Sequence, residues 1–276
     1  MMSKQASAKK LDLSRAWSEA MRMLGTNREL VIVIAGLFLF LPFLAFLLQL
    51  PAEGALDLPE GAQPSPDQMN EAVGRFVAEN WVALLLVGLA QMAAAVALIK
   101  VLADRSRPTV KAALATVPAL LMPMIGAQLA SSIAAQVPMM LAGFLPVLAL
   151  IAVPLTFYLL VKFSLVSPAL VLNDWRNPFK ALGESWRATK GNSFRLFAFF
   201  VLLFIAGLVI LLVTNLFFGL LFALLGERGE AIASAMFLSL AMAVVYTIAY
   251  AVVAAVYRQL TSEPAVSVPP SGPAGR

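Results

Sequence analysis

Neither cysteine nor histidine occurs anywhere in this 276-residue sequence. That double absence removes disulfides, thiolate and imidazole metal sites, cysteine nucleophiles and histidine general bases from the chemistry open to it. Charge is scarce as well: Asp, Glu, Lys and Arg make up 13% of the residues, against about 25% in soluble chains, while 61% are hydrophobic. Such a balance suits a chain solvated by lipid. The net charge of +5 then reads as membrane topology rather than as a nucleic-acid footprint. No catalytic set, metal site, cofactor or nucleic-acid partner is expected.

A hydrocarbon core about 30 Å thick calls for roughly 20 apolar residues per helix, and only helices or closed barrels satisfy their own backbone there. The uncharged runs are too long for strands. The expectation is an all-α, polytopic integral membrane protein with six transmembrane helices, near 30–50, 81–101, 112–135, 139–161, 196–225 and 231–257. Residues 112–161 carry no charge and divide into two spans, with the tight turn placed at Gln136, Val137 and Pro138. Residues 1–29 form a cytoplasmic N-terminal segment, 30–257 the six-helix domain, and 258–276, rich in Pro and Ser, a disordered cytoplasmic tail. The first apolar run starts too late and runs too long for a cleaved leader, so it stays as a span.

Orientation follows from Lys and Arg. With the N-terminus inside, all of the 20 Lys and Arg residues except Arg75 and Arg228 fall in cytoplasmic segments. Both termini are therefore expected in the cytoplasm of a multi-pass protein of the bacterial inner membrane. The outer loop from Pro51 to Asn80 is acidic, with Glu53, Asp57, Glu60, Asp67, Glu71 and Glu79 against Arg75. It could bind cations or a basic partner, but its spacing lacks calcium-loop character, and a solvated connector is the favoured reading.

Two short amphipathic helices are expected at the cytoplasmic interface. Between Leu11 and Leu24, Leu13, Ala16, Trp17, Ala20, Met21 and Leu24 recur at helical spacing, with Asp12, Arg15, Glu19 and Arg22 opposite. From 178 to 190, Asn177 suits a cap, Pro178 the first turn and Gly191 a left-handed stop. This second helix offers an apolar stripe of Phe179, Leu182 and Trp186 and an i,i+4 pair of Lys180 with Glu184. Trp17, Arg15, Arg22, Lys180, Trp186, Arg187 and Lys190 are the candidate lipid-interface residues. The run A-W-S-E-A-M-R at 16–22 aligns with A-L-G-E-S-W-R at 181–187, and Asn27 with Asn192. A parallel repeat of helices 1 and 2 with helices 5 and 6 explains this, and coincidence in apolar sequence of low complexity is the rival explanation.

No span carries an ionisable residue at its centre. A proton relay, redox pump or paired-aspartate protease would need one. Gln91, Gln128, Ser131, Ser132, Thr156, Tyr158, Thr214, Asn215, Tyr246 and Tyr250 remain, either lining a path or hydrogen bonding between helices. Small residues at Gly126, Ala127, Ala130, Ser131 and Ala134 suit close helix contact. Pro118, Pro123, Pro146 and Pro154 make the third and fourth spans the candidate place for a cavity or kink, with irregular packing as the plainer alternative.

Pro168, Ala181, Leu182, Ser185, Trp186, Arg187, Gly191 and Asn192 follow a pattern, closed by Tyr257-Arg258-Gln259-Leu260, that resembles the glycerophosphoryl diester phosphodiesterase membrane domain family and related uncharacterised bacterial inner-membrane proteins. The resemblance implies the membrane fold and a bacterial membrane location without the catalytic activity, which in fused relatives belongs to a separate barrel using His. The expected role is non-catalytic, in envelope or lipid organisation, with membrane lipids and other membrane proteins or further copies of the chain as partners. The alternative is a passive or facilitative transporter of a lipid or small solute. Enzymatic use of Glu53, Glu60 and Glu79 comes third, since their spacing makes no acid and base pair. Reporter fusions after Gly226 and after Leu260 check the topology, with the first expected outside and the second inside.

Overall fold

The computed structural model describes residues 10–50, 65–104, 106 and 108–262, and among them the chain is all-helical, without strands. Helix α1 (Leu13–Thr26) starts at Asp12, whose carboxylate accepts from the Arg15 amide. A hinge at Asn27 leads into α2 (Arg28–Ala35), a π-turn (Gly36–Phe40) and α3 (Leu41–Leu47). The π-turn has a local cause. Pro42 brings no amide, and its ring would meet the Phe38 carbonyl in a regular helix; the wider turn, closed by Leu41 N–H on Gly36 O, relieves that clash.

Helix α4 (Pro66–Ala103) begins earlier than its apolar run suggests, so residues 66–80 are helix and not outer loop. Ser65 and Gln68 cap each other's backbone amides reciprocally, and Pro66 and Asp67 fill the first turn. At about 57 Å, α4 exceeds a hydrocarbon core and carries its first turns beyond it. Residues 51–64, with Glu53, Asp57 and Glu60, lie outside those described, while Glu71 and Glu79 are on α4.

Helix α5 (Val110–Phe144) runs through the expected turn at Gln136–Pro138. Pro138 is buried on the same stripe as Ala113, Leu120, Met124, Ala127, Ser131, Ala135 and Ala142. The chain turns instead at Leu145, whose extended backbone (φ −139°, ψ 99°) is what a residue before proline prefers. Pro146 then opens a short 3-10 turn (Pro146–Leu148) into α6 (Ala149–Phe163), which carries Pro154 inside it. A proline within a membrane helix is tolerated where neighbours take up the freed carbonyl.

After α6 the chain breaks at Ser164 and Leu165, forms α7 (Val166–Leu172) and then α8 (Pro178–Ala188). Helix α8 ends at Ala188, two residues before the expected end, and Gly191 takes the left-handed backbone (φ 80°) that the sequence predicts. Helices α9 (Ser193–Phe222) and α10 (Gly226–Thr261) follow. Five stretches are long and apolar enough to cross a membrane: 28–47, 66–103, 110–144, 149–172 and 193–261, the last holding α9 and α10 with the turn at Gly226 between them. Five such stretches make this a membrane protein. Arg258 to Thr261, expected in the tail, complete α10; residues from 263 lie outside those described.

Burial is uneven along the bundle. Every residue of α4 from Ala93 to Ala103 is buried, as are Ala251, Val252 and Ala254 to Tyr257 on α10 and Val166 and Pro168 to Val171 on α7. Along α9 only Leu196 and Phe199 are buried. The helices therefore close tightly at the end where α4, α6 and α10 finish, here called the basic end, and leave apolar faces open toward the other.

Gly226 sits at φ 72°, ψ 165°, a region nearly reserved for glycine. Gly226→Ala is expected to destabilise by about 1–3 kcal/mol. Gly25→Ala, in α1 with open space around the new methyl group, is expected to stabilise by up to about 1 kcal/mol. Thermal unfolding in detergent checks both.

Candidate functional site

The basic end is a knot of side chains bonded to backbone. Ser185 on α8, fully buried, donates to the Lys162 carbonyl at 2.6 Å and accepts from the Leu165 amide at 3.2 Å. It thereby satisfies the break between α6 and α7. Asn192 accepts from the Leu11 amide at 2.8 Å, and Arg195 donates to the Leu11 carbonyl at 3.1 Å. Gln259 serves the next residue: with its amide turned to match donors with acceptors, the nitrogen donates to the Asp12 carbonyl and the oxygen accepts from the Asp12 amide, both at 3.1 Å. Two distant segments thus hold the entry to α1.

Charged and aromatic groups complete the knot. Lys100, 5% exposed, reaches both oxygens of Asp174 at 2.7 and 2.9 Å and Asp104 at 3.4 Å. Asp174 has a left-handed backbone (φ 50°), which Asp tolerates better than most residues. Burial pushes the Asp104 carboxyl up, but the Ser106 amide and hydroxyl and the Lys100 charge outweigh it and hold it below its ordinary value. Asn173 donates to the Tyr257 hydroxyl at 2.8 Å, and Arg258 lies 3.5 Å from Glu19. Lys162, 3% exposed, sits 5.4 Å from the Tyr158 ring centre and 5.1 Å from that of Trp186, with no carboxylate partner among the described residues.

Lys100, Lys162 and Arg258 each occupy the last turn of an outward-to-basic-end helix, so three hairpins finish alike. The aligned segments behave alike too. Ala16 and Ala20 are buried, as are Ala181 and Ser185; Glu19 pairs with Arg22 as Glu184 pairs with Arg187. Asn27 and Asn192 hinge at nearly the same angles, φ −114° and −122°. Beyond the hinges, Val31 and Ile34 are buried, and so are the aligned Leu196 and Phe199. The two segments are structural counterparts.

Of the interface candidates, Arg15, Arg22, Lys180, Arg187 and Lys190 are exposed, as is Trp17 at 38%. Trp186 has a second role as the lid over Lys162, edge-on to Tyr158. The expected Lys180–Glu184 pair does not form, because Arg187 takes the Glu184 carboxylate. The stripe on α8 is also reversed: the small residues Ala181 and Ser185 face the bundle, while Phe179 is 72% exposed. Lys100 and Lys162, counted from sequence among the cytoplasmic cations, are buried.

Pro118, Pro123, Pro146 and Pro154 do not line the groove described below. Pro118 and Pro123 lie inside α5 and Pro154 inside α6, with Pro146 at the turn. A groove of about 730 Å³ lies elsewhere, between α2 with its π-turn and α10, with Phe222 and Phe237 in its wall. Its lining is apolar apart from Arg28 and Thr247. Among the weakly polar residues, Tyr250 reaches between helices to the Gln91 carbonyl at 3.4 Å, whereas Ser131 and Thr214 bond within their own helices. The buried Thr156 hydroxyl has no partner among the described residues, and nothing in the structure explains it. Gly126 lies against Pro178, 3.5 Å from where a Cβ would stand, so small size on α5 lets α8 approach.

Ser185→Ala strips two backbone groups of their partner and is expected to cost about 1–3 kcal/mol. Asp174→Asn keeps a residue tolerant of the left-handed backbone but removes the charge, and is expected to cost about 1 kcal/mol, since Asp174 is largely exposed. Unfolding midpoints in detergent measure both. No curated protein and no solved structure matches the chain. A family model does, over residues 77–260, from α4 to the last turn of α10. The chain belongs to that family, described as Domain of unknown function (DUF7847).

Proposed function

We propose that this is a six-span, non-catalytic protein of a bacterial cytoplasmic membrane, with both termini inside, that organises lipid around it. The observation that carries the reading is the collar at the basic end. Two amphipathic helices, α1 and α8, are fastened to the spans through buried small faces and present Trp17, Arg15, Arg22, Lys180 and Arg187 outward. Interfacial helices of this kind favour anionic lipid, each cation near the surface contributing about 1 kcal/mol. The concentration of Lys and Arg at this end supports its assignment to the cytoplasm.

Kinship with the glycerophosphoryl diester phosphodiesterase membrane domain is part of the proposal. Its support is the work done by the pattern residues: Ser185, Asn192, Tyr257, Arg258 and Gln259 each bond across elements. The transporter reading has less behind it, since the proline-rich hairpin contributes no lining to the apolar groove.

In vesicles holding spin-labelled phosphatidylglycerol or phosphatidylcholine, the protein is expected to restrict the motion of more of the anionic lipid. Neutralising Arg15, Arg22, Lys180 and Arg187 together is expected to reduce that excess. Equal restriction of both lipids, or sustained turnover of a lipid or phosphodiester by the purified protein, would overturn the reading.

A further inference from the structure

The lateral groove between α2 with its π-turn and α10 has three properties that together specify an occupant. The first is depth. From Arg28 at the basic end to Phe40 the wall rises about 18 Å, close to the 15 Å or so of one leaflet's hydrocarbon. The second is an aromatic narrowing. Phe222 and Phe237 line the part of the groove away from the basic end, where Phe237 also packs on Phe218 with ring centres 5.1 Å apart. Its volume of about 730 Å³ lies in the range of small-ligand sites.

The third property is charge. Arg28 is exposed at the groove's mouth and has no hydrogen-bond or ion-pair partner among the described residues. Glu29 beside it does not line the groove. Asn27, placed to cap α2, instead donates to the Met23 carbonyl at 2.8 Å, which leaves the positive end of α2 uncapped next to Arg28. An apolar slot one leaflet deep, with an unpaired guanidinium at headgroup level, complements a molecule with one long chain and a phosphate.

We propose that this groove binds an anionic glycerophospholipid, one acyl chain along the slot and the phosphate on Arg28. This rests on the reading of the protein as a lipid organiser and names a specific site within it. The wall includes Gly36 in the π-turn, where an added Cβ would meet nothing within 4 Å. That position gives the site a handle: a Cβ there meets open space, so a larger side chain can project into the slot.

Native mass spectrometry of the full chain, titrated with dioleoyl phosphatidylglycerol and with dioleoyl phosphatidylcholine, tests the site. The wild type is expected to hold one phosphatidylglycerol about tenfold more tightly than phosphatidylcholine. Arg28→Gln should abolish that preference. Gly36→Phe should weaken both lipids, and Gly36→Ala neither. Val244→Trp, on the opposite wall where Val244 is half exposed, should reproduce the Gly36→Phe result should that variant misfold. A preference that survives Arg28→Gln, or full binding in the folded slot-filling variants, overturns the proposal. If those variants still restrict phosphatidylglycerol in vesicles as the wild type does, the site fails while the broader reading stands.

Discussion

Wherever a helix breaks in surroundings that exclude water, the freed amides and carbonyls must find partners inside the protein. In this chain that constraint is met by side chains reaching from other elements. Ser185 serves the α6–α7 break, while Asn192, Arg195 and Gln259 serve the residues entering α1. Because the partners come from α8, the start of α9 and α10, satisfying the backbone also fixes the packing order at the basic end. The dense Ala and Val core of α4, α7 and α10 forms under the same knot.

The opposite end has no equivalent. Helix α9 leaves most of its apolar surface exposed, as a lipid-facing helix does, and Gly226 provides the turn into α10. The groove occupies the transition between the two regimes. It opens where the π-turn before Pro42 alters the face that the first span offers to α10. One proline in the first span therefore bears on the groove, while the four singled out in the third and fourth do not.

Much of this was legible in the sequence. Long uncharged runs pointed to the long apolar helices, and the Asn177, Pro178 and Gly191 signals located α8 to within two residues. The alignment of 16–22 with 181–187 anticipated two segments with matched ion pairs and hinges. Two errors had readable remedies. Ser65-Pro66-Asp67-Gln68 is a capping box that marks the true start of α4, and Leu145-Pro146 is a stronger break than Gln136 to Pro138 because Pro138 faces a packed stripe. The knot's partners were not legible, because residues 11 and 192, or 12 and 259, are joined only by tertiary structure. Nor was the groove, whose walls come from residues 24–40 and 222–248 with no pattern beyond apolarity.

Hydrogen–deuterium exchange of the amides at residues 11–12 and 164–166 in detergent tests the central constraint most directly. The account predicts slow exchange at both places in the wild type. Ser185→Ala should accelerate only the second, and Asn192→Ala paired with Gln259→Leu only the first. Fast exchange at either place in the wild type, or exchange indifferent to those substitutions, would contradict it.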